Sequence, residues 1–138
     1  VAKYIAMVVV VLVLTAAAYF GMAWYRTATN TPENVIASFT RDITDPEKPT
    51  YERLSSDLKK QYTESAWQQY TATFKGAAEP VQLSREQVED TLNTYPDDSA
   101  PQRFVYKYRI QDRDYLASII ILKQGDMWLV DHIQGDYK

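Results

Sequence analysis

The residues best suited to chemistry in this chain are Asp131 and His132, side by side near its end. His132 is the only histidine, and an imidazole can move protons near neutral pH. Alternation along a last strand puts it on one face with Trp128 and Val130 and sends Asp131 the other way. A general base, a ligand and a partly exposed surface residue all fit that position. Acid–base work of the isomerase kind needs a buried carboxylate facing donors in an apolar pocket. Asp131 is the only carboxylate inside that strand, and nothing identifies a partner for it. The aromatics Trp67, Tyr70, Phe74, Phe104, Tyr106, Tyr108 and Trp128 either line such a pocket, with hydroxyl handles for orientation, or fill the space between helices and sheet. The ligand-pocket set is Trp67, Tyr70, Phe74, Tyr106, Tyr108 and Trp128.

Other chemistries are poorly supplied. Asp90, Asp97 and Asp98 lack calcium-loop spacing. There is no Gly-rich phosphate loop, no Gly-x-Ser-x-Gly and no His-Glu-x-x-His. With no cysteine, the chain has no disulfide, thiolate nucleophile, cysteine-ligated zinc or lipoprotein acylation site. Arg103, Lys107, Arg109 and Arg113 gather on one strand and its turn, as a basic patch for an acidic partner or as a solvated sheet face. Taking Lys3 and Arg26 from the 15 basic residues leaves 13 against 18 acidic, a net charge of −5 for residues 27–138. Nucleic-acid binding is not expected at that charge. The expectation is a protein that is not an enzyme, with no cofactor and no metal.

What places these residues is the start of the chain. From Tyr4 to Tyr25 no side chain is charged, and Lys3 and Arg26 bracket the run. As a helix it spans about 33 Å, against a bilayer core of about 30 Å. Tyr4 at one end and Tyr19, Phe20, Trp24 and Tyr25 at the other read as interfacial anchors. Ala16-Ala17-Ala18 offers a cleavage site for a signal peptide. The apolar run continues past it, so residues 1–26 are expected to stay as a transmembrane anchor, followed by a linker at 27–31. Lys3 and Arg26 balance each other. The acidic remainder disfavours the cytosolic side, where anionic lipid prefers the opposite sign. The expected location is a cell membrane, single-pass, with the soluble domain extracytoplasmic.

Residues 32–138 read as helices followed by strands. Thr31-Pro32-Glu33 is a helix start, with Val35, Ile36, Phe39 and Ile43 on one stripe. Two prolines in Asp45–Pro49 end it. Thr50 is expected to cap a second helix carrying Leu54, Leu58 and Tyr62. Thr63-Glu64-Ser65 opens a third with Ala66, Trp67, Tyr70 and Phe74, stopped at Lys75-Gly76. Residues 81–92 are ambiguous: Ser84-Arg85-Glu86 looks like a turn, and Gln87–Leu92 like an edge strand. Residues 95–101 read as a loop. Alternation over 104–110 predicts a strand. Residues 115–122, apolar on both faces, suit a central strand, and 127–133 the last one. That order is α+β, with helices on one face of an antiparallel meander.

The series Pro32-Glu33-Asn34-Val35-Ile36-Ala37-Ser38-Phe39, Tyr51-Glu52-Arg53-Leu54-Ser55-Ser56-Asp57-Leu58-Lys59, Thr63-Glu64-Ser65-Ala66-Trp67 and Gly125-Asp126-Met127-Trp128-Leu129-Val130 resembles the NTF2-like (cystatin-like) superfamily. It is most similar to its small membrane-anchored extracytoplasmic bacterial domains of unknown function. The resemblance spans most of 32–133. It implies a cone of helices packed on a curved antiparallel sheet, with a cavity that is catalytic, ligand-binding or plain core in different members. The expected role is a non-enzymatic interaction or assembly module of the cell envelope. The expected partners are the lipid bilayer, through the N-terminal helix, and a homodimer or envelope protein complex, with the outer sheet face bearing Lys107 and Arg109 as the contact. The alternative is binding of a lipid or other apolar ligand in the cone.

Overall fold

The computed structural model describes residues 1–95 and 99–138, the side chains of Arg26 and Thr27 excepted. Asp97 and Asp98 lie outside the described residues. The chain divides into two units, Val1–Asn30 and Thr31–Lys138.

The first unit is α1 (Ala2–Thr29). Its stretch Ala2–Tyr25 has a mean hydropathy of 2.5 and buries none of it within the protein. It is long and apolar enough to span a membrane or to act as a signal sequence. Val and Leu dominate its first half, and with no water in hydrocarbon such a segment must pair its backbone polar groups within itself. Thr15 follows the same rule, its hydroxyl donating to the Val11 carbonyl at 2.8 Å. Tyr4, Tyr19, Phe20, Trp24 and Tyr25 are all exposed on it. The helix runs on to Thr29, where the Thr29 hydroxyl donates to the Tyr25 carbonyl. Most of the segment read as a linker is therefore helical.

The second unit is α+β, with an open four-stranded antiparallel sheet in the order β1-β2-β3-β4. The strands are β1 (Val81–Gln87), β2 (Gln102–Ile110), β3 (Arg113–Gln124) and β4 (Met127–Tyr137). Two-residue turns join the last three strands. Gln111 and Asp112 both take positive φ in the first, and Gly125 does so in the second, as tight hairpins require. The helices are α2 (Pro32–Asp42), α3 (Ser56–Gln61) and α4 (Glu64–Thr71). The side chains of Thr31, Ser55 and Thr63 cap them by accepting from the backbone N–H three residues on. Gly76, at φ +81°, ends the helical half. Ile36, Phe39 and Ile43 of the first stripe meet Phe104, Tyr108, Ile119, Ile121 and Val130 of the sheet in one buried cluster.

Four expectations need correction. The second helix is two pieces. A 3-10 turn over Tyr51–Arg53 ends at Leu54, which is extended and bridges Val130 in parallel. Thr50 makes no side-chain cap, and the cap belongs to Ser55. Strand β1 runs through Ser84-Arg85-Glu86, the stretch read as a turn, and stops where the edge strand was expected to begin. It is exposed throughout, because an edge strand is held by backbone pairing to β2 and needs no buried side chains. Strand β3 is central in the sheet, as expected, but it buries only one face: Tyr115, Ala117, Ile119 and Ile121 are buried, while Leu116, Ser118, Ile120 and Leu122 are half-buried. Finally, β4 extends to Tyr137 and carries a β-bulge. Ile120 pairs His132 and Ile121 pairs Val130, which leaves Asp131 as the extra residue. A one-residue insertion reverses the alternation beyond it. Val130 and Ile133 are both buried, and His132 is exposed. His132 therefore does not share a face with Trp128 and Val130.

Candidate functional site

Among the described residues of the second unit, the outer face of the sheet is the surface that the helices leave uncovered. The ladder places residues in level rows across β2, β3 and β4. Arg103 pairs Ile120, which pairs His132; Val105 pairs Ser118, which pairs Gln134; Lys107 pairs Leu116, which pairs Asp136. Leu122 and Leu129 continue the apolar strip. A shallow groove of about 460 Å³ follows Leu116, Ser118 and Ile120, with Arg103 and His132 on its borders.

The four basic residues differ in how they are held. Arg103 pairs with Glu86 at 3.0 Å and Arg109 with Asp114 at 2.9 Å. The Arg113 guanidinium lies 4.5 Å over the Tyr137 ring. Lys107 and Asp136 are exposed, and among the described residues neither forms an ion pair. They flank Leu116 from the strands on either side of β3, roughly 10 Å apart.

Asp131 and His132 are not brought together. The Ser55 hydroxyl donates to Asp131 Oδ1 at 2.7 Å and also accepts from the Leu58 N–H at 3.2 Å. The Ser55 N–H donates to the Val130 carbonyl at 2.7 Å. The bulge thus presents Asp131 to the start of α3 and fixes that helix on the sheet edge. His132 Nε2 lies 3.3 Å from Gln134 Oε1, in solvent. Asp90 organises its own turn, accepting from the Leu92 N–H at 3.0 Å and the Tyr95 hydroxyl at 3.1 Å. Among the described residues, no cluster of three or more His, Asp or Glu could hold a metal ion.

The pocket set sits inside the core. Trp67, Phe74, Tyr106, Tyr108 and Trp128 are each between 1% and 6% exposed, and Tyr70 is half-buried. Ring centroids run from Trp67 to Tyr70 at 5.6 Å, Tyr70 to Phe74 at 6.0 Å and Phe74 to Tyr108 at 5.0 Å. The Tyr108 hydroxyl donates to the Thr40 carbonyl at 2.9 Å, and the Trp67 indole N–H to the Thr50 hydroxyl at 2.9 Å. Burial pushes the Tyr70 and Tyr108 phenols well above their ordinary range, so both are neutral donors and unsuited to act as bases. Of the six, only Trp67 reaches the walls of a surface cleft of about 340 Å³, which Thr50, Thr71 and Lys75 also line.

Sequence reasoning missed a buried charge. The Asp42 side chain is 4% exposed. Its carboxylate is hydrogen-bonded to Arg53, with Lys48 at 3.6 Å and Arg41 at 3.8 Å. Ser38 donates to it at 3.3 Å and itself accepts from Arg53 at 2.9 Å. Burial alone would raise the Asp42 carboxyl. The Arg53 hydrogen bond, the Arg53 and Lys48 charges and the Ser38 hydroxyl outweigh it and hold the group below the usual carboxylate value. Arg41 stands next to Asp42 in sequence, but Arg53 comes from the turn before Leu54, so no local signal marks the pair.

These features define an apolar N-terminal helix followed by an α+β domain whose sheet leaves one face open. Set against the models of known families, the curated proteins and the solved structures, the chain matches none of them.

Proposed function

We propose that this chain is a single-pass membrane protein whose NTF2-like domain works outside the cytoplasm as a non-enzymatic interaction or assembly module of the cell envelope. The observation that carries this reading is the outer sheet face. It combines a half-exposed apolar strip, Val105, Leu116, Ile120, Leu122 and Leu129, with a border of charges, the composition of a surface that docks and releases. The length and hydropathy of α1 support the anchor, and the acidic balance of the rest supports an outward-facing domain. The burial of Trp67, Phe74, Tyr106, Tyr108 and Trp128 weighs against an apolar ligand in the cone. So does the bonding of Asp131 to Ser55 against catalysis there.

The test is native mass spectrometry of the full-length protein released in a gentle detergent. A dimer, or a heteromeric mass without small ligand, supports the module. A monomer carrying a small-molecule mass overturns it in favour of ligand binding.

A further inference from the structure

We propose that the free edge of β1 is a docking site for an extended peptide segment of a different chain, which adds to the sheet as a further strand and carries basic residues at both ends. This site is separate from the outer sheet face and does not depend on what that face binds.

Backbone geometry identifies the open groups. Strand β1 stands at the end of the sheet and has β2 on one side only. Just past its last residue, the Val88 N–H donates to the Pro101 carbonyl at 2.8 Å. That bond is in step with the pairs Gln87–Gln102, Glu86–Arg103, Arg85–Phe104 and Ser84–Val105. Bonded and non-bonded pairs alternate along an antiparallel ladder. Val88, Glu86 and Ser84 therefore turn their N–H and C=O groups toward β2, and Arg85 and Gln87 turn theirs outward. Among the described residues nothing hydrogen-bonds to those outward groups, and every residue of β1 is exposed.

Sheet edges are commonly guarded by lysine, proline, a bulge or a covering element. Strand β1 contains neither lysine nor proline. Its bulge lies between Gln82 and Ser84 and leaves Ser84–Gln87 regular. Its two charges are turned onto the protein itself. Arg85 bonds Glu33 and lies 5.3 Å over the Phe104 ring, and Glu86 pairs with Arg103 at 3.0 Å. In strand addition the main-chain bonds supply affinity, and the side chains around them supply specificity.

Charge chooses the occupant. Glu79 stands two residues before the strand and Glu89 two after it. Both are exposed, and neither has an ion-pair partner among the described residues. A segment with a cation near each end meets both. A second copy does not. Paired antiparallel through Arg85 and Gln87 of both chains, it would set Glu86 opposite the partner's Glu86, and like charges directly opposite are destabilising. In either direction its own acids would bring more negative charge to an acidic edge.

The test uses the full-length chain in a non-ionic detergent and fluorescence anisotropy of a labelled peptide, an alternating Thr-Val repeat with two lysines at each end. Gln87→Pro removes an outward N–H that β2 does not use, a change that edge strands tolerate, and unchanged thermal unfolding confirms the fold. It should weaken binding at least about tenfold, and so should N-methylation of every peptide bond in the repeat, which leaves the protein untouched. The same repeat ended by glutamates should bind at least about tenfold more weakly, and Glu79→Lys with Glu89→Lys should reverse that preference. Binding of the lysine-ended peptide that survives N-methylation is charge attraction alone and overturns strand addition. Equal binding of the two peptides overturns the basic partner. No binding of either overturns the site. A dimer by native mass that Gln87→Pro dissolves overturns a different chain as the occupant. None of these outcomes bears on the outer face, whose charges the variants leave unchanged.

Discussion

Replacing Asp42 with asparagine keeps the shape of the side chain and removes its charge. In the native protein that charge is 4% exposed and is held by Arg53 directly, with Lys48 and Arg41 nearby. Hydrogen bonds to a charged group contribute about 1.5–3 kcal/mol, and breaking a fully buried ion pair costs about 3–5 kcal/mol. Arg53 is 35% exposed and Lys48 55%, so water recovers part of their solvation. A loss of about 2 kcal/mol at pH 7 follows. The sign of the pH dependence follows from the depressed carboxyl. A folded-state value below the unfolded one, about 3.9, gives stability that is full above that value. It is lost as pH falls through the folded value. The natural chain should therefore lose the contribution below about pH 4, and Asp42→Asn should not. Urea unfolding of the full-length protein, followed by tryptophan fluorescence at pH 7 and again near pH 3, measures both. Equal stabilities at pH 7, or a difference that persists undiminished into acid, would refute the account.

Three further substitutions probe other contacts. In Gly135→Ala the new methyl would stand 2.3 Å from Tyr115 Cε1 and 2.4 Å from its hydroxyl oxygen. That overpacking should cost about 1–3 kcal/mol in thermal unfolding, and the cost should shrink in a Tyr115→Ala background. Ser55→Ala removes both the cap of α3 and the donor to Asp131. It should cost about 2–4 kcal/mol, against about 1 for Thr63→Ala, which removes a cap alone; similar values for the two would mean that the Asp131 bond contributes nothing. Trp67→Phe deletes the indole donor to Thr50 and some buried volume, with an expected loss of about 1.5–3 kcal/mol by denaturant unfolding.

What could be read from the sequence was what neighbouring residues decide. Thr31-Pro32 and Thr63-Glu64 start helices as expected because cap, proline and first-turn acid are all local. The β2 alternation and the turns at Gln111 and Gly125 are local too. The misreadings share a non-local cause. Leu54 is extended because it meets Val130, 76 positions later. Strand β1 exists because β2 offers a free edge, although its own residues are exposed and mostly polar. The bulge that reverses His132 is fixed by Ser55, which accommodates Asp131 from a distant helix start. Of the surface argued to dock, its charges were legible on β2, but Asp136 was not, because the last strand was read as ending at Ile133.

The sequential meander has a consequence for when structure forms. Each pairing in the sheet joins strands that follow one another in the chain, and the hairpins of β2–β3 and β3–β4 close over two-residue turns, so they can zip on the microsecond scale. The helices of the domain are 11, 6 and 8 residues long, below the roughly 12–15 at which a helix persists alone in water. During synthesis they emerge before the sheet that covers their apolar stripes. Residues 32–74 therefore gain the surface that covers their apolar stripes only once β2 to β4 have been made. Docking Leu54 onto Val130 has to follow the synthesis of β4, the last strand.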